Sequence, residues 1–168
     1  MTHATISLTP LSDKDARAYV FSRMLDEGRA RIVQYTLPEP SLDEWLKCTD
    51  PKQAWFSILH TDARLACAVW INNFCGKSAL VHFVVFRGFE HLSNTLCHLA
   101  SAWAFDGGLA CLLGLIPVTN RGAIACMRAS GWKDVFRIPE ACFVHRLGRH
   151  VDALLCHFTP KLLREALP

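Results

Sequence analysis

The sequence predicts an α+β fold, an α/β sandwich in which a mixed, mostly antiparallel sheet is flanked by helices. Three observations carry this. Between residues 53 and 86, three β-rich apolar stretches follow one another with only short turns between them, the pattern of antiparallel neighbours. One strand-helix-strand crossover then spans residues 109–144, and a crossover of that kind adds a strand in a new direction. Finally, 51% hydrophobic and 20% charged residues make a globular composition with ample apolar material for a core.

Taken in order, residues 4–8 read as a first strand. Ser12, with Asp15 three positions on, opens a helix whose stripe is Ala16, Tyr19, Val20 and Met24. Leu37-Pro38-Glu39-Pro40 is a loop, and Ser41 with Glu44 forms a capping box ahead of Trp45 and Leu46 on a short helix. Residues 53–59, 64–72 and 78–86 are strands, joined by turns at His60-Thr61-Asp62 and Phe74-Cys75-Gly76. Leu92, Leu96, Leu99, Ala100 and Trp103 give a helical face that Asp106-Gly107-Gly108 ends.

The segment from Leu109 to Trp132 is the most specific. Its unbroken apolar run over residues 109–116 reads as a buried strand, and Pro117, which has no N–H to donate, stops it. Thr119 or Asn120 then caps a helix carrying Ala123, Ile124 and Met127, and Gly131 terminates that helix. Residues 132–144 and 151–158 are two further strands turning at Gly148, and residues 159–168 form a short amphipathic tail.

Several classes are disfavoured. The net charge of +3, without a dense Lys/Arg cluster, argues against nucleic acid. No apolar stretch reaches the ~18–20 residues of a membrane span. No basic-then-apolar leader opens the chain, so a cytoplasmic protein is expected, with residues 1–168 as a single domain. The eight cysteines contain no Cys-x-x-Cys pair and mostly sit in apolar runs, which suits buried free thiols and offers no metal-ligand spacing.

Strand, polar cap, short helix, glycine and aromatic, here Asn120, Ala123, Met127, Gly131 and Trp132, resemble the C-terminal half of GNAT-type (Gcn5-related) N-acetyltransferases. The order of elements matches that layout along nearly the whole chain. The resemblance is closest to small, divergent, phage- and prophage-type members with reduced loops. It implies that acetyl-CoA lies in a V-shaped gap between the fourth strand, residues 78–86, and the fifth, residues 109–116. Val84 and Phe86 would then offer backbone groups to the pantetheine arm, with Asn120 and Met127 beside it. The diphosphate would lie over the loop after the fourth strand, held by amides around Gly88 with Arg87 and His91 assisting. That loop, Phe86-Arg87-Gly88-Phe89-Glu90-His91, departs from the usual Arg/Gln-x-x-Gly-x-Gly/Ala pattern, and Glu90 brings a negative charge to it.

Acetyl transfer to an amine needs a base, an oxyanion donor and a protonated leaving thiol. The family often uses a tyrosine as the acid, but Met127 stands in its place and cannot donate. The fourth strand carries no carboxylate, so its one titratable side chain, His82, is the candidate base. The oxyanion donor would be a backbone N–H near Val84 or Val85, and water would protonate the thiolate. Asp13, Asp15, Glu39, Asp43 and Glu44 lie on the acceptor side and either attract a cationic amine or serve as caps and solvated charges. Three readings stay open. One is an acyl-CoA-dependent N-acyltransferase acting on a small-molecule or protein amine by direct attack in a ternary complex. The second is a catalytically inactive module for binding or assembly. The third is a thiol- or metal-based protein of similar layout. The oligomeric state is undetermined, a homodimer included.

Overall fold

The computed structural model describes residues 5–167. Among them, seven strands form one sheet in the order β1-β2-β3-β4-β5-β7-β6. The strands are β1 (Ile6–Pro10), β2 (Trp55–Thr61), β3 (Arg64–Cys75), β4 (Ser78–Val85), β5 (Cys111–Pro117), β6 (Lys133–Val144) and β7 (Arg149–Phe158). Every pairing is antiparallel except β4 with β5. The helices are α1 (Lys14–Asp26), α2 (Ala30–Val33), α3 (Leu42–Cys48), α4 (Ser93–Asp106), α5 (Arg121–Ala129) and α6 (Pro160–Ala166). This is the mixed sheet with flanking helices that the pattern predicts. No helix among the described residues is long and apolar enough to cross a membrane.

The first strand lies two residues later than expected, and Ala4 falls outside the described residues. Pairing of Ile6 with Thr61 and Pro10 with Ser57 sets its register. Pro10 is tolerated because β1 is an edge strand. The first helix is capped by Asp13 and not by Ser12: the Asp13 carboxylate accepts from the Ala16 N–H at 2.8 Å. A carboxylate also meets the positive end of the helix dipole, which a serine hydroxyl does not. The buried face of α1 is Arg17, Val20, Phe21 and Met24, while Tyr19 is exposed. That face has regular i, i+3, i+4, i+7 spacing, but it opens on an arginine. The Arg17 guanidinium is satisfied internally, donating to the Leu46 carbonyl at 2.9 Å and to Thr49 Oγ1 at 3.2 Å. Its own carbonyl accepts the Trp45 indole N–H at 2.8 Å.

The β2–β3 hairpin turns on Asp62 and Ala63, both at positive φ, one step beyond the expected turn. The short helix α2 has no local signal strong enough to foresee. On α4 the buried residues are Leu96, Cys97, Ala100, Ser101 and Ala104, so the face is rotated from the expected one and Leu99 is exposed. Small side chains let α4 approach the sheet closely. Gly131, at φ +86°, ends α5 as expected, and Trp132 behind it stacks on Phe158 at 5.1 Å. The main core gathers around Trp45, which is fully buried between Phe21, Phe56 and Trp70. A smaller cluster of Cys142, Val144, Val151 and Ala153 packs under Tyr35.

Candidate functional site

The parallel pairing of β4 with β5 is brief. It joins Ser78 to Cys111, Ala79 to Leu112 and Leu80 to Leu113, and goes no further. Beyond it each strand keeps its outer partner: β4 pairs with β3 as far as Val85, and β5 pairs with β7 as far as Pro117. The inner edges therefore part and leave backbone N–H and C=O groups of both strands without a cross-strand partner, groups that something must satisfy. The parting opens a cavity of about 490 Å³, whose walls include His82, Val84, Gly114, Asn120, Ala123 and Met127. At Gly114 a Cβ would lie 2.6 Å from Cys156 Sγ, so a glycine allows β7 to sit close behind this wall.

Four of the eight predicted site residues, His82, Val84, Asn120 and Met127, line this gap. Asn120 also caps α5, its Oδ1 accepting from the Ala123 N–H at 3.2 Å, so one side chain both starts the helix and faces the cavity. Phe86 is a correction. It is fully buried, its N–H donates to the Ala66 carbonyl at 2.9 Å, and its carbonyl accepts from the Phe89 N–H at 3.2 Å. Its N–H is therefore not free for a pantetheine arm, and its carbonyl already serves the turn that follows. Arg87, Gly88 and His91 lie in the exposed loop that follows, outside the cavity wall.

His82 is half-buried and stacks on Trp70, with centroids 5.0 Å apart and planes 8° from parallel. Its Nε2 lies 3.0 Å from Asn72 Oδ1. An amide oxygen only accepts, so this contact places the ring proton on Nε2 and leaves Nδ1 with a free lone pair. Burial lowers the His82 pKa from 6.5 to about 4, so the ring is neutral and able to accept a proton throughout the neutral range. A depressed histidine pKa leaves its contribution to stability intact above pH 6.5, and that contribution is lost as pH falls from 6.5 toward 4.

The loop after β4 is held by the chain's own carboxylates. The Arg87 N–H donates to Glu27 Oε2 at 2.7 Å, and the Gly88 N–H, at φ +90°, donates to Glu90 Oε2 at 2.8 Å. Glu90 Oε1 accepts from Arg29 Nη2 at 2.8 Å. The backbone N–H groups of Glu90 itself and of Gly88, with the Arg29 guanidinium, hold the Glu90 carboxyl below its usual pKa. A pantetheine arm, with its amides and apolar links, suits the unpaired strand edges and the apolar walls of the gap. The diphosphate end suits the loop only once Glu90 turns aside, because a carboxylate occupies one of the donors a phosphate would use.

Several wall residues gave no local signal. Trp70, Asn72, Arg29 and Tyr35 reach the site or its neighbours through pairings distant in sequence. Tyr35 Oη lies 3.4 Å from Cys142 Sγ, and burial raises its pKa. Three thiols also face the cavity. Burial pushes Cys97 up to about 11, Cys156 up to about 12 and Cys126 upward, so all three stay protonated near neutral pH and are poor nucleophiles. The adjacent His98 is tied to the Ser130 carbonyl at 2.9 Å. Among the described residues no group of three His, Cys, Asp or Glu side chains is placed to hold a metal ion. Of the acidic residues around the first helices, Asp13 is a helix cap, Glu39 pairs with Arg31 at 2.6 Å and Glu44 pairs with Lys47 at 3.7 Å.

No protein-family model matches this chain, and no curated protein matches it. Solved structures do. The crystal structure of spermidine N-acetyltransferase from Vibrio cholerae, in complex with CoA and spermine, aligns at a TM-score of 0.76 and 15% identity over 95% of this chain and 98% of that one. Mutant forms of the spermidine/spermine N-acetyltransferase SpeG from Vibrio cholerae align at 0.75 and 16% over 96% and 98%. A single-site mutant of that enzyme aligns at 0.73 and 18% over 96% and 98%. At these identities the likeness establishes the fold: the seven-stranded sheet and its helices have the GNAT arrangement.

Proposed function

We propose that the chain is an acyl-CoA-dependent N-acyltransferase that moves an acetyl group from acetyl-CoA to an amine by direct attack in a ternary complex. The observation that carries this reading is the gap between β4 and β5, where two strand edges part beside Asn120 and Met127. When bound, acetyl-CoA supplies a thioester, an acyl group on a moderately acidic leaving thiol. The backbone N–H of Val85, which by strand alternation faces away from β3 on the splayed edge of β4, supplies a hydrogen-bond donor to the carbonyl oxygen. His82 Nδ1 takes the proton of the attacking amine, with Asn72 holding the opposite nitrogen. Met127 gives the arm an apolar contact and no proton, so water protonates the departing thiolate. The protonated state of Cys97, Cys126 and Cys156 favours direct transfer over a covalent enzyme intermediate.

The acceptor chemistry also takes shape here. The structural neighbour was solved with spermine, a polycation. In this chain Glu90 is the one carboxylate among the described residues lining the gap, and it is paired with Arg29. Ile32, Val33, Tyr35 and Trp70 make the remaining outer wall largely apolar. The acceptor that suits this wall is a single amine on an apolar body, free or protein-borne. The eight free cysteines support a reducing, cytoplasmic setting.

The test is thiol release from acetyl-CoA with a panel of amines. His82→Gln is expected to lower turnover about 100-fold, the lower end for a general base, because a base of such low pKa takes a proton weakly. Acetyl-CoA affinity should change by less than about threefold, since truncating a base need not touch ground-state binding. The acid limb contributed by the enzyme should lie near pH 4 and vanish in the variant. Unchanged turnover, or an acid limb centred at 6.5, assigns the base elsewhere. A second reading, a binding module without transferase activity, is favoured by the carboxylates at the loop. It predicts no thiol release with any amine and no rise in melting temperature with CoA.

A further inference from the structure

We propose that Glu90 is an internal competitor for the diphosphate of the acyl donor, and that the Arg29–Glu90 pair is a latch that opens when CoA binds. This rests on the acyl-CoA reading above. The two carboxylates at the loop are not equivalent. Glu27 has a side chain only 8% exposed and is held on three sides: by Arg23 Nε at 2.8 Å, by the Arg87 N–H at 2.7 Å and by Arg29 Nε at 3.8 Å. It is a fixed part of the loop. Glu90 has a side chain 54% exposed and is held by Arg29 at 2.8 Å and the Gly88 N–H at 2.8 Å. A half-exposed glutamate with a solvated path outward turns to another rotamer at small cost.

Arg29, Glu90 and Ser93 all line the mouth of the gap, so the latch lies where the loop meets the cavity. With Glu90 in place, its two oxygens take the Gly88 N–H and the Arg29 guanidinium. A phosphate oxygen needs the same two kinds of donor, a backbone N–H and a planar cation. With Glu90 turned out, the Arg29 Nη2 group and the Gly88 N–H are released together while Arg29 Nε stays beside Glu27, and the charge facing the ligand becomes more positive by one. Arg87 and Arg64 lie on the same loop surface, the latter over the Phe89 ring at 4.9 Å. Glu90 thus sets a threshold for the diphosphate and none for the pantetheine arm. It is a specificity-determining residue, and Arg29 is the cation it masks.

The experiment is calorimetric titration of CoA, and of pantetheine, which lacks the diphosphate, into the full chain and its Glu90→Ala, Arg29→Ala and double variants. Glu90→Ala is expected to tighten CoA about tenfold, the scale of one displaced charge-assisted hydrogen bond, and to leave pantetheine unchanged. Arg29→Ala should weaken CoA, and in the double variant the gain from Glu90→Ala should be largely lost. Unchanged or weaker CoA binding in Glu90→Ala overturns the latch, as does an equal gain for pantetheine. Failure of every variant and the parent to bind either compound at millimolar concentration is a different result. It removes the acyl-CoA reading and the latch with it. Melting curves of the variants check that the substitutions leave the fold intact.

Discussion

Trp45→Ala is expected to lower the unfolding free energy by about 3–5 kcal/mol, the range for a large aromatic truncated in a core. Trp45 is fully buried, stacks with Phe21 at 6.2 Å and meets Phe56 and Trp70 edge-on at 5.7 and 4.9 Å. Its indole N–H also donates to the Arg17 carbonyl, a second bond beside the helical one that carbonyl makes within α1, so truncation leaves a cavity and removes that bond. The effect reaches the site, because Trp70 packs on Trp45 from one side and carries His82 on the other. Urea unfolding measures the loss. Trp45→Phe, which keeps most of the volume, should cost markedly less. A loss below about 1 kcal/mol for the alanine variant would contradict this picture of the core.

The second large effect is on binding. Gly122→Trp should reduce acetyl-CoA affinity by about 100-fold or more, equivalent to roughly 2.7 kcal/mol, without lowering the melting temperature. Gly122 sits in the first turn of α5 and lines the gap, and a Cβ built there meets nothing within 4 Å. A large side chain therefore has space to enter the cavity and occupy the room the arm requires. Gly122→Ala is the control: it should stabilise the helix by about 0.5–1 kcal/mol and leave binding intact. Full affinity in the tryptophan variant would place the ligand elsewhere.

What was readable in the residues followed the range of the interaction. The Asn120 cap and the Gly131 stop act over three or four residues, and both stand where the local pattern places them. The order of elements along the chain and the mixed sheet are equally legible, since short turns join antiparallel neighbours, but the place of β7 between β5 and β6 is set by pairing across the sheet. Interactions between distant residues were not. The bond from Asn72 to His82 crosses a hairpin, and the Arg29–Glu90 and Glu27–Arg87 contacts join positions some sixty residues apart. Glu90 was readable as a charge in the loop but not as a partner of the Gly88 N–H. Local disguise accounts for other misses. Arg17 opens the buried face of α1 and hides its stripe, and the small residues of α4 mask which side meets the sheet. The place of Phe86 is not legible, because the apolar run does not reveal that its N–H is already bound to Ala66.

The central claim is that the gap between β4 and β5 holds an acyl-CoA. Calorimetric titration of acetyl-CoA into the reduced, purified protein tests it most directly. The account predicts one site per chain with micromolar affinity, on the order of −8 kcal/mol. Absence of binding up to millimolar acetyl-CoA, in a protein that melts cooperatively, would contradict it.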